Sequence, residues 1–233
     1  MALPKLISAK YSLEIPSTKE LIEYRPYLVK EEKILMMAFE TKDQSQMISA
    51  LRDTIAGCTE GKVKVDNLTI FDLEYIFLKL RSKSVGETST LGIKCSGCSK
   101  TSQVEVNLNE VEVLGEVKSS AQIALTDTVG IVVKYPTVKG LYRQLQKNDD
   151  TDSAMSAVIS SIESIYDAEN VYPAENETEE SLLEFVDSLT SDQFKKLTSF
   201  FDDMPKLKHK VSFNCQSCKI PNDIDIEGLQ NFF

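Results

Sequence analysis

The sequence predicts an α+β fold in which helical segments and β-hairpins surround a four-cysteine, zinc-ribbon-like element. Some stretches place apolar residues at helical spacing, whereas others alternate apolar and polar residues as half-buried strands do. Two distant Cys-x-x-Cys pairs, in "KCSGCSK" and "NCQSCKI", are each flanked by alternating residues on both sides. The chain has 233 residues, which is enough to bury a sizeable core.

The first part of the chain predicts a hairpin followed by three helices. "YSLEIPSTKELIEYRPYL" alternates up to Ile15, turns, and continues as a second strand. Residues 29–58 predict two helices, the second of which begins near Thr41 to Gln44. Residues 67–84 are apolar almost all round, which indicates a helix buried in the protein core or, as the alternative, against a partner.

The region between the cysteine pairs predicts a further hairpin and several helices. "AQIALTD" and "GIVVKYP" alternate as strands do, and a helix is expected to begin at Thr137. A second helix is predicted over residues 153–167 and a third within residues 174–189. The last, over residues 190–205, has the capping box Thr190 to Gln193 at its start.

The two cysteine pairs predict one shared zinc site formed by Cys95, Cys98, Cys215 and Cys218. A two-residue spacer lets both thiolates of a pair face one ion, and two pairs complete the tetrahedral shell that zinc accepts. The alternatives are reduced thiols without a metal, or a redox pair, although a redox pair usually opens a helix rather than a hairpin. Four cysteines leave no open coordination position, so the zinc would be structural. Cys58 is expected to be a buried small residue at a helix end.

The positions of the cysteine pairs also predict the domain organisation. Residues 1–93 would form an N-terminal hairpin and helical region, and residues 94–233 a zinc-ribbon region with knuckles at 95–98 and 215–218. Within the latter, residues 109–205 would form a mixed α/β insertion that leaves the metal site and returns to it. The whole is expected to be one interdependent globular unit.

Composition and motifs argue against several classes of function. The net charge is −10, which disfavours nucleic-acid binding because phosphate backbones attract basic surfaces. The longest apolar run, Ile34 to Phe39, is too short for a membrane span, and the N-terminus has no signal-peptide pattern. The single histidine, His209, is expected to face solvent from a strand. With no catalytic constellation, we expect neither an enzyme nor a small-molecule substrate.

Several segments together resemble the baseplate hub proteins of T-even-like contractile-tailed bacteriophages. The resemblance covers about Tyr24 to Phe233, and its blocks are "YRPYLVKEEKILMMAFE", "FDLEYIFLKLRSKSVGE", the two knuckles, "FFDDMPKLKHKVSFNCQSC" and "EGLQNFF". It implies a non-enzymatic protein that acts in hub structure or hub assembly, with other hub or tail proteins as partners. It also implies a place in the host cytoplasm during assembly, or in the tail baseplate of the virion. The alternative function is a zinc-ribbon adaptor or regulator of another multiprotein complex.

The C-terminal "GLQNFF" is predicted to dock somewhere rather than remain in water. Burying a phenylalanine is favourable by roughly 1.5–3 kcal/mol, so Leu229, Phe232 and Phe233 are candidate partner-binding residues. Docking of the same residues onto the chain's own zinc ribbon is the alternative.

Overall fold

A computed structural model of the chain describes residues 8–146 and 153–232. These residues form helices and small antiparallel sheets, so the predicted α+β class is confirmed. They divide into two compact units. The ribbon unit contains the described residues up to Val65, Phe71–Leu114, and those from Lys206 onward, whereas the insertion unit contains residues 66–70 and 115–205. The division into residues 1–93 and 94–233 remains a prediction.

The secondary structure of the described residues alternates between short helices and short strands. The helices are α1 (Val29–Thr41), α2 (Gln44–Cys58), α3 (Ile70–Ser84), α4 (Val138–Gln146), α5 (Ser153–Ser161), α6 (Glu179–Asp187) and α7 (Ser191–Asp202). The strands are β1 (Tyr11–Glu14), β2 (Leu21–Tyr24), β3 (Thr88–Lys94), β4 (Thr101–Asn107), β5 (Glu112–Leu114), β6 (Ala121–Ala124), β7 (Gly130–Val133), β8 (Ile162–Tyr166), β9 (Val171–Pro173), β10 (Lys206–Asn214) and β11 (Pro221–Glu227). The 3-10 segment Leu229–Phe232 follows β11.

The ribbon unit contains three small sheets whose hairpins match the sequence prediction. β1 pairs with β2, and β3 pairs with β4, both antiparallel. The third sheet has the order β11-β10-β5. Both Cys-x-x-Cys pairs lie at hairpin tips, since Lys94 is the partner of Thr101 and Asn214 is the partner of Pro221. The predicted strand–turn–strand environment of each pair is therefore confirmed.

Helix α3 lies in the core of the ribbon unit. Its side chains Leu73, Ile76, Leu78 and Leu80 are almost completely buried within the chain, which confirms the core interpretation of this apolar helix. The same helix contributes the partly buried Lys79, whose Nζ donates hydrogen bonds to three backbone carbonyls of the segment that follows β4. The helix thereby contacts the segment that leaves the first cysteine hairpin.

A nearly buried ion pair joins the first hairpin to the first helix. The Arg25 guanidinium donates to Glu31 Oε1 at 2.8 Å, and the side chain of Glu31 is only 7% exposed. Glu31 Oε2 also accepts from the Leu28 N–H at 2.8 Å, at the start of α1. Burial opposes ionisation, but the hydrogen bonds from Arg25 and Leu28 outweigh it and hold the pKa of the Glu31 carboxyl below its usual value.

The insertion unit has a four-stranded antiparallel sheet of order β6-β7-β8-β9, with helices α4 to α7 in the same unit. Its core is formed by apolar residues of the sheet and helices: Leu125, Ile131, Val133, Val158, Ile159, Ile162, Leu182, Val186 and Leu197. The predicted hairpin and the helices at 137, 174–189 and 190–205 are confirmed, including the capping box from Thr190 to Gln193.

The predicted helix over residues 153–167 is wrong in its second half. Helix α5 ends at Ser161, and the chain continues directly as strand β8 from Ile162 to Tyr166. In this position β8 pairs with β7 on one side and β9 on the other. The backbone groups of β8 are therefore hydrogen-bonded to a strand on each side. This pairing overrides a local sequence pattern that also fits a helix.

We predict that Arg25→Met lowers the free energy of unfolding by about 3 kcal/mol, because it leaves the Glu31 carboxylate buried without its main partner. Lys62→Met is the matched control, since the pair between Lys62 and Glu23 is more than half exposed on both sides and should contribute less than about 1 kcal/mol. Urea unfolding of the two variants measures the difference. Equal effects would show that the Arg25–Glu31 pair is energetically no different from a surface pair.

Candidate metal centre

Each cysteine pair is held in a tight turn of the same backbone geometry. In the first knuckle, the Cys95 N–H donates to the Lys100 carbonyl and the Ser99 N–H donates to the Cys95 carbonyl, both at 2.9 Å. The second knuckle repeats both hydrogen bonds at the equivalent residues, again at 2.9 Å. Ser99 and Lys219 both have positive φ angles, 59° and 62°. The two knuckles are therefore structural repeats built from unrelated parts of the chain.

The two knuckles bring all four predicted cysteines together. The sulfurs of Cys95, Cys98, Cys215 and Cys218 all lie within 4.8 Å of one another. Two of the separations between the knuckles are 3.6 Å each, from Cys95 to Cys218 and from Cys98 to Cys215. Four thiolates placed tetrahedrally at about 2.3 Å from one ion would be about 3.8 Å apart. The spacing therefore fits a single shared ion.

Buried polar side chains donate to two of the sulfurs. Asn222 Nδ2 donates to Cys95 Sγ at 3.5 Å, while Asn222 Oδ1 accepts from the Ser96 N–H at 2.8 Å. Ser102 Oγ donates to Cys215 Sγ at 3.8 Å. Asn222 is 4% exposed and Ser102 is 1% exposed. Hydrogen bonds of this kind orient ligands and stabilise negative charge on sulfur.

These two donors were missed in the sequence, although their positions carry a signal. Ser102 is the fourth residue after Cys98, and Asn222 is the fourth residue after Cys218. Each is therefore the second residue of the strand that leaves its own knuckle, and each reaches across to the first cysteine of the other knuckle. A polar residue four positions after the second cysteine of each pair is the sequence signal that could have identified these two donors.

The surroundings of the sulfurs give them different proton affinities. The backbone N–H groups of Cys218 and Ser217 lower the pKa of Cys215 to about 6, and N–H groups of its own turn lower the pKa of Cys95 in the same way. The N–H of Ile220 acts in the same direction on Cys218, but desolvation and the neighbouring sulfurs outweigh it and raise the pKa of Cys218 to about 12. Four ionised thiols in this space therefore require a cation.

The knuckles also pack closely against each other next to the sulfurs. A Cβ atom added at Gly97 would lie only 2.7 Å from Cδ1 of Ile220, the second residue after the second knuckle. A glycine in the first spacer therefore allows the Ile220 side chain to cover this side of the site.

The other cysteine and the histidine do not belong to the cluster. Cys58 is the last residue of α2 and is 1% exposed, as the sequence predicts, and burial raises its pKa to about 11. His209 lies on β10 and is partly exposed. The only cluster of potential metal ligands among residues 8–146 and 153–232 is the four-cysteine group. It can hold a metal ion, and its four ligands leave no position for a reacting water.

The candidate partner residues at the C-terminus are packed within the ribbon unit. Leu229 is 8% exposed and Phe232 is fully buried, and the Leu229 N–H lies 3.4 Å from Glu74 Oε1 of α3. Phe233 lies outside the described residues. This burial favours the alternative in which the terminus docks on its own chain, and partner binding by the three residues remains a prediction.

One family model matches the chain, and it covers residues 8–233 under the description T4 bacteriophage base plate protein. No curated protein matches the chain, and no solved structure matches it. Among the described residues, none of the helices has both the length and the apolar character that crossing a bilayer requires.

We predict that the purified protein contains one metal ion per chain and that Cys215→Ser loses it. Metal binding by such sites carries on the order of 10 kcal/mol of apparent free energy, so Cys215→Ser should also lose most of its thermal stability. Elemental analysis and thermal unfolding provide the two measurements, with Cys58→Ser as the control that keeps the metal. Equal melting temperatures for the wild type and Cys215→Ser would contradict a structural role for the ion.

We predict that Phe232→Ala destabilises the isolated protein by about 3–5 kcal/mol, because a fully buried aromatic ring leaves a cavity when it is removed. Chemical unfolding measures the change, and Gln230→Ala is the control because Gln230 is exposed on the same turn. A stable Phe232→Ala variant that no longer enters particles would instead assign the side chain to a partner.

Proposed function

The chain belongs to the family of T4 bacteriophage base plate proteins, and we propose that it acts in the hub of the baseplate, as a structural subunit or as a factor in hub assembly. The family match over nearly the whole chain carries this proposal. The resemblance of its sequence blocks to hub proteins supports the hub rather than other parts of the baseplate.

We propose that Cys95, Cys98, Cys215 and Cys218 bind one structural zinc ion. The all-sulfur ligand set, the close spacing of the sulfurs and the hairpin knuckles support zinc over metals that prefer oxygen ligands. Bound zinc would crosslink two hairpins that are more than a hundred residues apart. The proposed role of the protein is accordingly non-enzymatic, without a nucleic-acid or small-molecule partner.

The exposed face of α1 supports a role in protein–protein contacts. Val29, Met36 and Met37 project from this helix and are 65%, 58% and 68% exposed. Isolated exposed apolar residues are ordinary, but several on one helix, here interspersed with the charged residues Lys33 and Glu40, indicate an interaction surface. Methionine is suited to such surfaces because its flexible, polarisable side chain adapts to a partner. The proposed occupant is another hub or tail protein, first met in the host cytoplasm during assembly.

Mass spectrometry of purified particles and of baseplate intermediates from infected cells tests the hub assignment. A structural subunit is expected in both samples, whereas an assembly factor is expected in the intermediates alone. Deleting the gene should abolish tailed particles in either case. Normal yields of infectious particles from the deletion phage would reject the proposal.

We predict that Met37→Glu leaves the protein folded but reduces complementation of the deletion phage at least about tenfold, since losing some 1.4 kcal/mol of binding free energy corresponds to that factor. Leu21→Glu is the matched control, because Leu21 is 71% exposed but lies outside α1. Plaque counts measure the effect, and thermal unfolding confirms that both variants fold. Equal complementation by the two variants would remove α1 from the contact surface.

A further inference from the structure

The negative charge of the protein is concentrated in one part of the chain. Residues 153–194 contain ten carboxylate side chains and no lysine, arginine or histidine. Their charge equals the net charge of the whole chain, −10, so the other residues are neutral in sum. All of these residues belong to the insertion unit. An acidic field of this size attracts basic partners and raises their association rate.

The same segment forms an apolar groove. The space has a volume of about 460 Å³ and lies beside β8, β9 and α6. Ile165, Leu182 and Phe185 line its apolar part, and Tyr166 and Tyr172 line it with their rings. The volume falls in the range of roughly 300–1,000 Å³ that is typical of binding pockets, which leaves room for more than one side chain.

The walls of the groove depend on specific small and polar residues. Gly130 of β7 is the partner of Tyr166 of β8, and a Cβ atom at Gly130 would collide with the Tyr166 ring. At the other wall, the Tyr172 hydroxyl donates to Asp167 Oδ2 at 2.9 Å. The Asp167 carboxylate also accepts from the backbone N–H groups of Glu169 and Asn170, each at 2.8 Å. The groove is thus fixed by backbone geometry and hydrogen bonds.

Two carboxylates of the acidic segment lie on the lining of this groove, Asp167 and Glu177. The backbone hydrogen bonds to Asp167 lower the pKa of its carboxyl, which keeps it ionised at neutral pH. Glu177 is exposed. Aromatic rings next to fixed negative charges favour a ligand that combines apolar side chains with cations, since rings attract cations as well.

We propose that this groove binds a basic protein segment, with an apolar side chain seated between Tyr172 and Phe185 and lysine or arginine side chains against Asp167 and Glu177. The groove selects the apolar anchor, and the charge of residues 153–194 selects a basic partner over an acidic one. The proposal adds a partner site to the proposed hub-assembly function. It rests on that function for the inference that the partner is a baseplate protein. The binding itself is a property of the isolated chain.

The test is a fluorescence-anisotropy titration of the full chain with a labelled synthetic peptide in which a Phe-Leu pair is flanked by three lysines on each side. Control peptides replace the lysines with glutamates or the Phe-Leu pair with two serines. We expect saturable binding of the basic apolar peptide, weakened by added NaCl, and binding at least about tenfold weaker for both controls.

Protein variants locate the binding site. Glu177→Lys and Tyr172→Ala should each weaken binding about tenfold, whereas Tyr172→Phe, which keeps the ring and loses only the hydrogen bond to Asp167, should weaken binding less than Tyr172→Ala. Glu184→Lys is the charge-matched control, because Glu184 is exposed on α6 but does not line the groove. Circular dichroism of every variant shows whether it is folded.

Three results would overturn the proposal: no saturable binding of the basic peptide, equal binding of the acidic peptide, or equal losses from Glu177→Lys and Glu184→Lys. The last result would mean that the overall charge of the unit, and not the groove, attracts the peptide. Because the titration uses the purified protein, its outcome is independent of whether the gene is required for tail assembly. Failure of the hub assignment and failure of this binding site are therefore distinguishable.

Discussion

The ribbon unit depends on the meeting of two knuckles that the chain supplies 116 residues apart. Its elements come from three separate stretches, and the last of these carries both the second knuckle and the C-terminal 3-10 segment. Bringing such distant segments together costs chain entropy, and that cost is offset only by interactions formed after closure. The sulfur cluster concentrates those interactions at one point, where Asn222 and Ser102 each reach from one hairpin to the cysteine of the other.

Around this junction, three further features stabilise the ribbon unit. The apolar helix α3 buries four large aliphatic side chains, and the Phe232 side chain closes the same unit at the end of the chain. On the N-terminal side, the ion pair of Arg25 and Glu31 joins the end of the first hairpin to the start of α1. The exposed residues Val29, Met36 and Met37 therefore lie on a helix whose inward side is held by a nearly buried ion pair.

Much of the fold and of the metal centre could be predicted from local pattern. The cysteine spacing with alternating flanks identified both hairpins and all four ligand candidates, and the caps at Asp43 and Thr190 begin helices where expected. What could not be predicted depends on contacts between distant residues. The sequence of β8 does not distinguish a strand from a helix, and its conformation is set by pairing with β7 and β9. The contacts of Ser102 and Asn222 with the cysteines form only when the two hairpins meet. The groove beside Tyr172 likewise forms only when β9 and α6 come together.

The pairing of the two strands that flank the insertion bears on how this protein could have evolved. Leu114, the last residue of β5, is the direct partner of Lys206, the first residue of β10, in an antiparallel ladder. The intervening residues thus depart and return at neighbouring positions, as a hairpin loop does, so a tight turn could join the two strands in their place. Insertions of this geometry are readily tolerated, because the strands that flank them keep their own pairing. Related phages could therefore vary the insertion unit to match new partners while the ribbon unit stays the same.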